Sequence, residues 1–416
     1  MLSTAENERL TRVGPGTPMG ELMRRYWHPV AVTSELNARR AMPVRILGED
    51  LVLYRDKSGG LGLIDRYCAH RRVDLSYGIP EERGLRCMYH GWMFDETGQC
   101  VEQPFEETVR PDGRFKEKVR MTAYPAQELG GLVWGYLGPS PVPLLPRWDL
   151  LVWDNVLRDI GVTVLPCNWL QCQENSVDTV HVEWMHGAFG QYALERKGIT
   201  DEAAYRQVAN FLRHHVKIGF ERNAVGIQKY RLREGEDEET APSWLEGHPL
   251  VFPNYVLIGG PGREELQIRV PVDDTTTWHL AYQIYYPVEG VSLPPQETIE
   301  TFDVPIEDYP EYVLGQDVLA WPAQGPITDR SVEKLAETDR GLILFRRMLE
   351  EQIQIVEDQG DPLNTFRDPE SNVRLDLPME HYPGLNAYRA GTARFGRGPN
   401  NPVERYMDVL TGAAPR

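Results

Sequence analysis

Long apolar runs are missing from this 416-residue sequence. No stretch reaches the roughly eighteen apolar residues of a membrane-spanning helix. No Gly-rich GxGxxG fingerprint follows a strand-like run, so the chain is not expected to hold its own dinucleotide site. Cations are scarce. There are 44 Lys and Arg against 62 Asp and Glu, for a net charge of −18, which opposes nucleic-acid binding. The first thirty residues contain Glu6, Glu8 and Arg9 and no apolar run, which argues against a secretory signal. Cysteine is scarce too. Of the five present, Cys100, Cys167 and Cys172 form an odd set with no framework spacing, so a reducing, cytoplasmic setting is expected, with no membrane partner. Internal repeats are also lacking.

What is present is a pair of short metal-ligand motifs, CAH at 68–70 and CMYH at 87–90, separated by sixteen residues. Each offers one thiolate and one imidazole. A zinc finger orders its ligands differently, two Cys from one turn and two His from a helix. One ligand of each kind from each of two loops suits a Rieske [2Fe–2S] cluster, in which two Cys hold one iron and two His the other. Gly84 and Gly91 flank the second loop, and Pro80 lies in the connection. Arg66, Arg71, Arg72, Arg83 and Arg86 crowd the same segment and read as a basic collar for an acidic redox partner or a neighbouring subunit.

A second motif, ENSVDTVHVEWMHG at 174–187, spaces Asp178, His181 and His186 as Asp-x2-His-x4-His. Two His and a carboxylate on one face of an iron, with open positions opposite, is the arrangement of non-haem Fe(II) oxygenases. Asp178 and His181 are i, i+3 and share a helix face, so Asp178 is expected to orient the His181 ring. His181 and His186 are five apart. Either the helix is distorted or His186 ends it, and Gly187 favours the end. A third ligand must come from elsewhere, with Asp303, Glu307, Asp308, Asp317, Asp329 and Asp339 as candidates that spacing does not separate.

The period-2 runs PVRILGEDLVLYRD, GGLGLID, GWMFDETGQCVEQP and YPAQELGGLVWGYLG predict a small all-β domain over 28–138, after a helical segment at 1–27. The proline-rich stretch 138–148 reads as a linker. A catalytic domain follows at 149–416. NVLRDIGVTVLPCNW, FLRHHVKIGF, AVGIQKYRLR, ELQIRVPV and TTTWHLAYQIYYP read as strands of an antiparallel sheet, and residues 170–186 and 331–358 as helices. From 360 onward the chain is expected to wrap the surface. The fold class is α+β. Val251, Phe252, Tyr255, Leu257, Tyr282 and Tyr285 are candidates to line a pocket. Lys217, Lys229, Arg231 and Arg269 are candidates to hold a substrate carboxylate.

CAH…CMYH followed about ninety residues later by NSVDTVHVEWMH resembles the oxygenase (alpha) component of the Rieske non-haem iron aromatic-ring oxygenases. The resemblance covers nearly the whole chain. NERLTRVGPGTPMGELMRRYWHPV, GLRCMYHGWMFDETGQC and QDVLAWPAQGPITDRSVEKLAETDRG look like the branch containing phthalate 4,5-dioxygenase. CAHRRVDLSYGIPEE and LPCNWLQCQENSVDTVHVEWMHG are closer to the 5,5′-dehydrodivanillate O-demethylase type. The resemblance implies that Cys68, His70, Cys87 and His90 hold a [2Fe–2S] cluster and that His181, His186 and Asp317 hold a mononuclear Fe(II). It makes Asp178 the carboxylate joining His181 to a cluster His, His90, of a neighbouring subunit in a homotrimer or stacked trimers. It implies a separate reductase with flavin and a plant-type [2Fe–2S] centre. The expected activity is O2-dependent O-demethylation of a methoxylated, lignin-derived biaryl acid. Ring dihydroxylation of an arene carboxylate such as phthalate is the alternative. From other classes, a Rieske electron carrier without catalysis and a structural zinc protein are the rivals.

Overall fold

The computed structural model describes residues 1–260, 263–303, 313–378, 409, 410 and 412. Two units make up the chain. One holds residues 13–146 and 365–372, the other 1–12, 147–364 and 373–416.

The first unit is built from short β-runs. In β2 (Ala41–Ile46) Met42, Val44 and Ile46 point inward while Pro43 and Arg45 face solvent, the alternation a half-buried strand requires. It pairs antiparallel with β3 (Glu49–Arg55), β3 with β4 (Leu61–Asp65), and β4 with β9 (Ala123–Tyr124). A second sheet orders β5 (Ile79–Glu81), β6 (Gly84–Arg86), β7 (Met93–Phe94) and β8 (Cys100–Glu102). A third sets β11 (Leu132–Tyr136) between β1 (Trp27–Val32) and β10 (Ala126–Leu129). Val52, Tyr54, Ile64, Leu75, Leu85, Phe94 and Met121 form a core that also encloses Cys68, Cys87, Trp92 and Cys100.

The second unit is organised by one eight-stranded sheet. Its order is β13 (His215–Arg222), β14 (Gly226–Arg233), β15 (His248–Val251), β16 (Tyr255–Gly260), β17 (Arg263–Asp273), β18 (Thr276–Tyr285), β12 (Leu157–Leu165) and β19 (Glu300–Asp303). The sheet is mixed rather than wholly antiparallel, because β19 runs parallel to β12 at its edge. Helices Trp169–Val177 and Val313–Ala323 share a buried cluster with the sheet through Leu165, Cys167, Cys172, Ala281, Leu314, Val318 and Trp321. These contacts fix the helix that leads into Asp178 and the helix that carries Asp317.

Two predicted helices are shorter than the sequence suggests. Residues 170–186 do not form one helix, since the first ends at Val177 and Asp178 is extended (φ −69°, ψ 134°). Within 331–358 the helix runs from Arg340 to Glu357. Glu333 folds back to pair with Arg346, which draws the preceding segment off the helix axis. Of the C-terminal stretch expected to wrap the surface, 360–378 runs mostly exposed or half-buried, and 379–408 lies outside the described residues.

Candidate functional site

The two cysteine loops of the first unit share one backbone plan. The Cys68 N–H donates to the Val73 carbonyl (2.9 Å), and the Cys68 carbonyl accepts from Arg72 N–H (2.9 Å). The Cys87 N–H donates to the Trp92 carbonyl (2.8 Å), and the Cys87 carbonyl accepts from Gly91 N–H (3.1 Å). The fourth residue after each Cys has positive φ, Arg72 at 61° and Gly91 at 75°. Glycine suits that position in the second loop. Each loop aims N–H groups at its own sulfur, His70 and Arg71 at Cys68, Tyr89 and His90 at Cys87. Such donors favour thiolate. The two sulfurs are buried and share a hydrogen bond, which pushes Cys68 up and Cys87 down to about 6.

The imidazoles lie on the exposed side. The His70 and His90 rings meet edge to face with centroids 4.5 Å apart, and His70 stacks on Trp92 at 4.4 Å. Buried sulfur on one side and exposed imidazole on the other fits a two-iron cluster with unlike ends. Cys100 lies in the core, its thiol pushed up to about 11 by burial. It is not placed with the four.

The arginine collar divides. Arg66 pairs with Asp74 (2.6 Å), and Arg86 with Glu81 (3.1 Å) and Glu102 (2.7 Å). These two brace the loops. Arg71, Arg72 and Arg83 are exposed, beside exposed Met88 and Tyr89.

In the second unit the five-residue spacing of the histidines is accommodated by a π-helix, Val182–Phe189, with His181 at its N-cap. A wider turn brings residues five apart onto one face, where an α-turn separates them. The helix is therefore distorted rather than ended at His186. Gly187 is not a left-handed cap. A Cβ there would lie 3.0–3.1 Å from the backbone of Phe211 and Leu212, so its smallness permits close packing.

His181 Nε2 lies 3.9 Å from Asp317 Oδ1, and His186 Nε2 lies 3.6 Å from Asp317 Oδ2. The three side chains offer ligand atoms within 4.8 Å of one another. Asp317 comes from helix Val313–Ala323. Of the other carboxylates weighed from sequence, Asp329 caps the Ser331 N–H and Asp339 accepts from the Ala336 N–H. Asp303 ends β19, and Glu307 and Asp308 lie outside the described residues.

The group fits a metal for reasons beyond proximity. Asp317 Oδ1 is buried with no hydrogen-bond partner among the described residues, a costly state that a cation relieves. His186 Nδ1 donates to Gln316 Oε1 (2.8 Å), which leaves the Nε2 lone pair facing Asp317. Burial, opposed by Asp317, holds His186 below the ordinary imidazole range and so neutral, the form a ligand requires. Gln316, which directly precedes Asp317, contacts the His186 ring and was not singled out by sequence spacing.

Asp178 and His181 do not share a helix face. They meet through a turn in which Asp178 Oδ1 accepts from the Val180 N–H (2.8 Å), leaving Oδ2 3.6 Å from His181 Nδ1. Burial works to raise the Asp178 carboxyl, but the His181 ring and the Val180 N–H outweigh it and keep it ionised. Helix Trp169–Val177, which leads into Asp178, is anchored by a buried pairing of Glu174 with Arg330 (2.7 Å) and Arg346 (2.7 Å).

A cavity of about 260 Å³ opens beside His181, His186 and Asp317. Its apolar walls include Val182, Phe211, Val256 and Leu314, and Lys229, Arg231, His248, Glu265 and Arg269 line it as well. Of the pocket candidates chosen from sequence, Leu257 is the one that lines it. Phe252 instead packs on Phe345, and Tyr285 bonds Asp159 (2.7 Å). Lys217 sits at the surface over Trp244, paired with Glu238.

The family model for the Rieske [2Fe-2S] domain matches residues 26–117. The chain is 44% identical over 386 residues to the 5,5′-dehydrodivanillate O-demethylase oxygenase subunit of Sphingobium sp. strain SYK-6, covering 92% of this chain and 87% of that protein. It is 46% identical over 405 residues to the 3-chlorobenzoate-3,4-dioxygenase oxygenase subunit of Comamonas testosteroni, covering 86% and 90%. The oxygenase of carbazole 1,9a-dioxygenase, solved with its ferredoxin, superposes with a TM-score of 0.60 at 18% identity over 85% of this chain and 96% of that one, a likeness of fold. The chain belongs to the Rieske non-haem iron oxygenases, as the terminal oxygenase component, with a [2Fe–2S] cluster and a mononuclear iron as its cofactors.

Proposed function

We propose that this oxygenase O-demethylates a methoxylated aromatic acid, a lignin-derived biaryl being the favoured substrate. The observation that carries the reading is the His181–His186–Asp317 group beside a cavity whose walls are part apolar and part cationic. The likeness to an O-demethylase oxygenase subunit over 92% of the chain supports it. Hydroxylation of the methyl carbon, using O2, two electrons and two protons, gives a hemiacetal and water. The hemiacetal releases formaldehyde and leaves a phenol.

In this reading Cys68, Cys87, His70 and His90 hold the cluster, and His181, His186 and Asp317 hold the iron. When bound, the cluster supplies one-electron transfer and the iron supplies O2 activation. The chain's own part is positional. Gln316 fixes the His186 tautomer. Asp178 stays ionised beside His181 Nδ1 and holds the proton there. Asp178 is also the proposed link to His90 of the partner subunit in a trimer. Residues 28–138 are the proposed cluster domain and 149–416 the catalytic one. Members of this family take electrons from separate reductase or ferredoxin partners; a flavin reductase with a plant-type [2Fe–2S] centre is the proposed donor. Among the described residues no helix is long and apolar enough to cross a membrane.

Ring hydroxylation of an arene carboxylate is the second reading, favoured by the 46% identity to a chlorobenzoate dioxygenase subunit. A panel of methoxylated and carboxylated aromatics, supplied with a surrogate reductase, decides between them. Formaldehyde with a phenol supports the first reading, and a cis-diol the second. No product from any member, with both metal centres loaded, rejects both.

A further inference from the structure

Arg231 is a half-buried cation without a carboxylate of its own. Its side chain makes no hydrogen bond or ion pair among the described residues, and its Nε is buried. Other enclosed arginines of this unit have side-chain partners, although Arg269 has no carboxylate and its Nε is unpaired among the described residues. Arg330 and Arg346 share Glu174, Arg233 has Glu236 (2.8 Å), and Arg269 donates to Gln267 Oε1 (2.5 Å). Glu236, the acidic group that acts on Arg231 from a distance, is already taken by Arg213 and Arg233. Leaving a guanidinium desolvated and uncompensated costs several kcal/mol. Here the open direction is the cavity.

The sheet register sets two more donors beside it. Lys229 lies two residues earlier on β14 and so on the same face. His248 on β15 is its direct cross-strand partner. Both ring nitrogens of His248 are buried without hydrogen bonds. Lys229 donates to the Ser176 carbonyl and has further protons to give. Three cations line the cavity, Lys229, Arg231 and Arg269, against two carboxylates, Glu265 and Asp317. Asp317 is committed to the metal, and Glu265 accepts from Gln267 (2.5 Å) and Gln283. The wall therefore carries surplus positive charge and unused donors. The rest of the cavity, through Phe211, Val256 and Leu314, is apolar.

We propose that Arg231 and Lys229, with His248 between the strands, form the seat for a carboxylate of the aromatic substrate, and that this seat makes the enzyme selective for aromatic acids over neutral analogues. The planar guanidinium fork matches a carboxylate's two oxygens. This rests on the reading of the site as an oxygenase of an aromatic acid. It narrows the four cations weighed from sequence to two, since Lys217 is at the surface and Arg269 is engaged by Gln267.

Because Lys229 also holds the Ser176 carbonyl, Arg231 is the cleaner position to change. The test is calorimetric titration of the oxidised holoenzyme with 4-hydroxy-3-methoxybenzoate and with its methyl ester. Wild type is expected to bind the acid about 30-fold or more tighter than the ester, the lower end of what a desolvated charge pair is worth when one partner is removed. Arg231→Gln should cost the acid about the same factor and leave the ester unchanged, with cluster and iron content intact. Arg231→Lys should restore part of the preference. Equal wild-type affinity for acid and ester overturns the proposal whether or not any variant folds. So does an Arg231→Gln enzyme that loses both ligands alike or neither. Acid-selective binding with no O2-dependent product from any aromatic acid sinks the reading as an oxygenase of aromatic acids and leaves the carboxylate seat standing. Turnover of neutral aromatics in preference to acids does the reverse.

Discussion

Replacing Gln316 with leucine removes the acceptor of the His186 ring at the proposed iron site. Gln316 Oε1 accepts from His186 Nδ1 at 2.8 Å, and the His186 side chain is only 4% exposed. With leucine the Nδ1–H has no acceptor and no water to replace it. The ring must then keep an unsatisfied buried donor, at about 1–3 kcal/mol, or move its proton to Nε2, which removes the lone pair aimed at the metal. Either route weakens the ligand without touching the first coordination sphere. Outer partners of metal-bound histidines typically contribute about 10–100-fold in metal affinity, or about 1.4–2.7 kcal/mol. Anaerobic titration of Fe(II) against a competing chelator measures this directly. The cluster's visible absorbance serves as an internal control, since its ligands lie in the other unit. Gln316→Leu should bind mononuclear iron about 10–100-fold more weakly with cluster content unchanged. Gln316→Glu, which keeps an acceptor at that place, should retain most of the affinity. A leucine variant with wild-type iron affinity would falsify the tautomer assignment.

Asp317→Ala should lose mononuclear iron while keeping cluster iron, as read by metal analysis beside the Rieske EPR signal; retained iron with turnover shifts the third ligand elsewhere. Asp178→Asn should keep both metal centres and lose activity by about 10–100-fold or more; stopped-flow reoxidation of the reduced cluster at wild-type rate, coupled to product, removes Asp178 from the electron route. Glu174→Leu leaves Arg330 buried without its carboxylate and should destabilise the chain by about 3–5 kcal/mol; an unchanged denaturation midpoint contradicts that. Burial, with Arg231 and Arg269 adding to it and Asp178 and Asp317 opposing, pushes Lys229 down to about 7. Its charged form is therefore the minority in the folded protein above that pH, while the unfolded chain keeps the proton to about 10.4. Two consequences follow in that window: stability rises with pH, and affinity for an aromatic acid falls as the lysine discharges. Affinity that is flat from pH 6 to 9 in wild type, or equally steep in Lys229→Met, contradicts the assignment.

The residues of the cluster loops were legible because each loop is local. Cys-x-His and Cys-x-x-His are short enough that the chain itself brings thiolate and imidazole together, and the type of ligand names the cluster. Asp178, His181 and His186 were legible for the same reason, but their geometry was not. A five-residue spacing leaves open a helix end or a widened turn, and the π-helix is settled by packing, with Gly187 pressed against the Phe211–Leu212 backbone. Asp317 lies 131 residues beyond His186. Nothing local distinguishes it from the other acidic residues of its region, so on residues alone it stayed one of several, and resemblance rather than spacing favoured it.

The cations were misjudged from sequence because charge is cancelled by neighbours that only the fold supplies. Arg66 and Arg86 read as a docking collar and are held by Asp74, Glu81 and Glu102. Arg231, in contrast, was one of four cations that the sequence offered for a substrate carboxylate, and among the described residues its half-buried side chain has no acidic partner. The pocket's aromatic candidates do not line the cavity: Phe252 packs on Phe345 and Tyr285 bonds Asp159, contacts to segments far away in the chain that a list of apolar residues does not reveal. The sequence by itself determined the chemistry of this protein, through the kinds and local spacing of its ligands. The tertiary structure decided which distant carboxylate lies beside the two histidines and which cations, among the described residues, face no acidic partner, because both depend on strand register and helix packing between segments far apart in the chain.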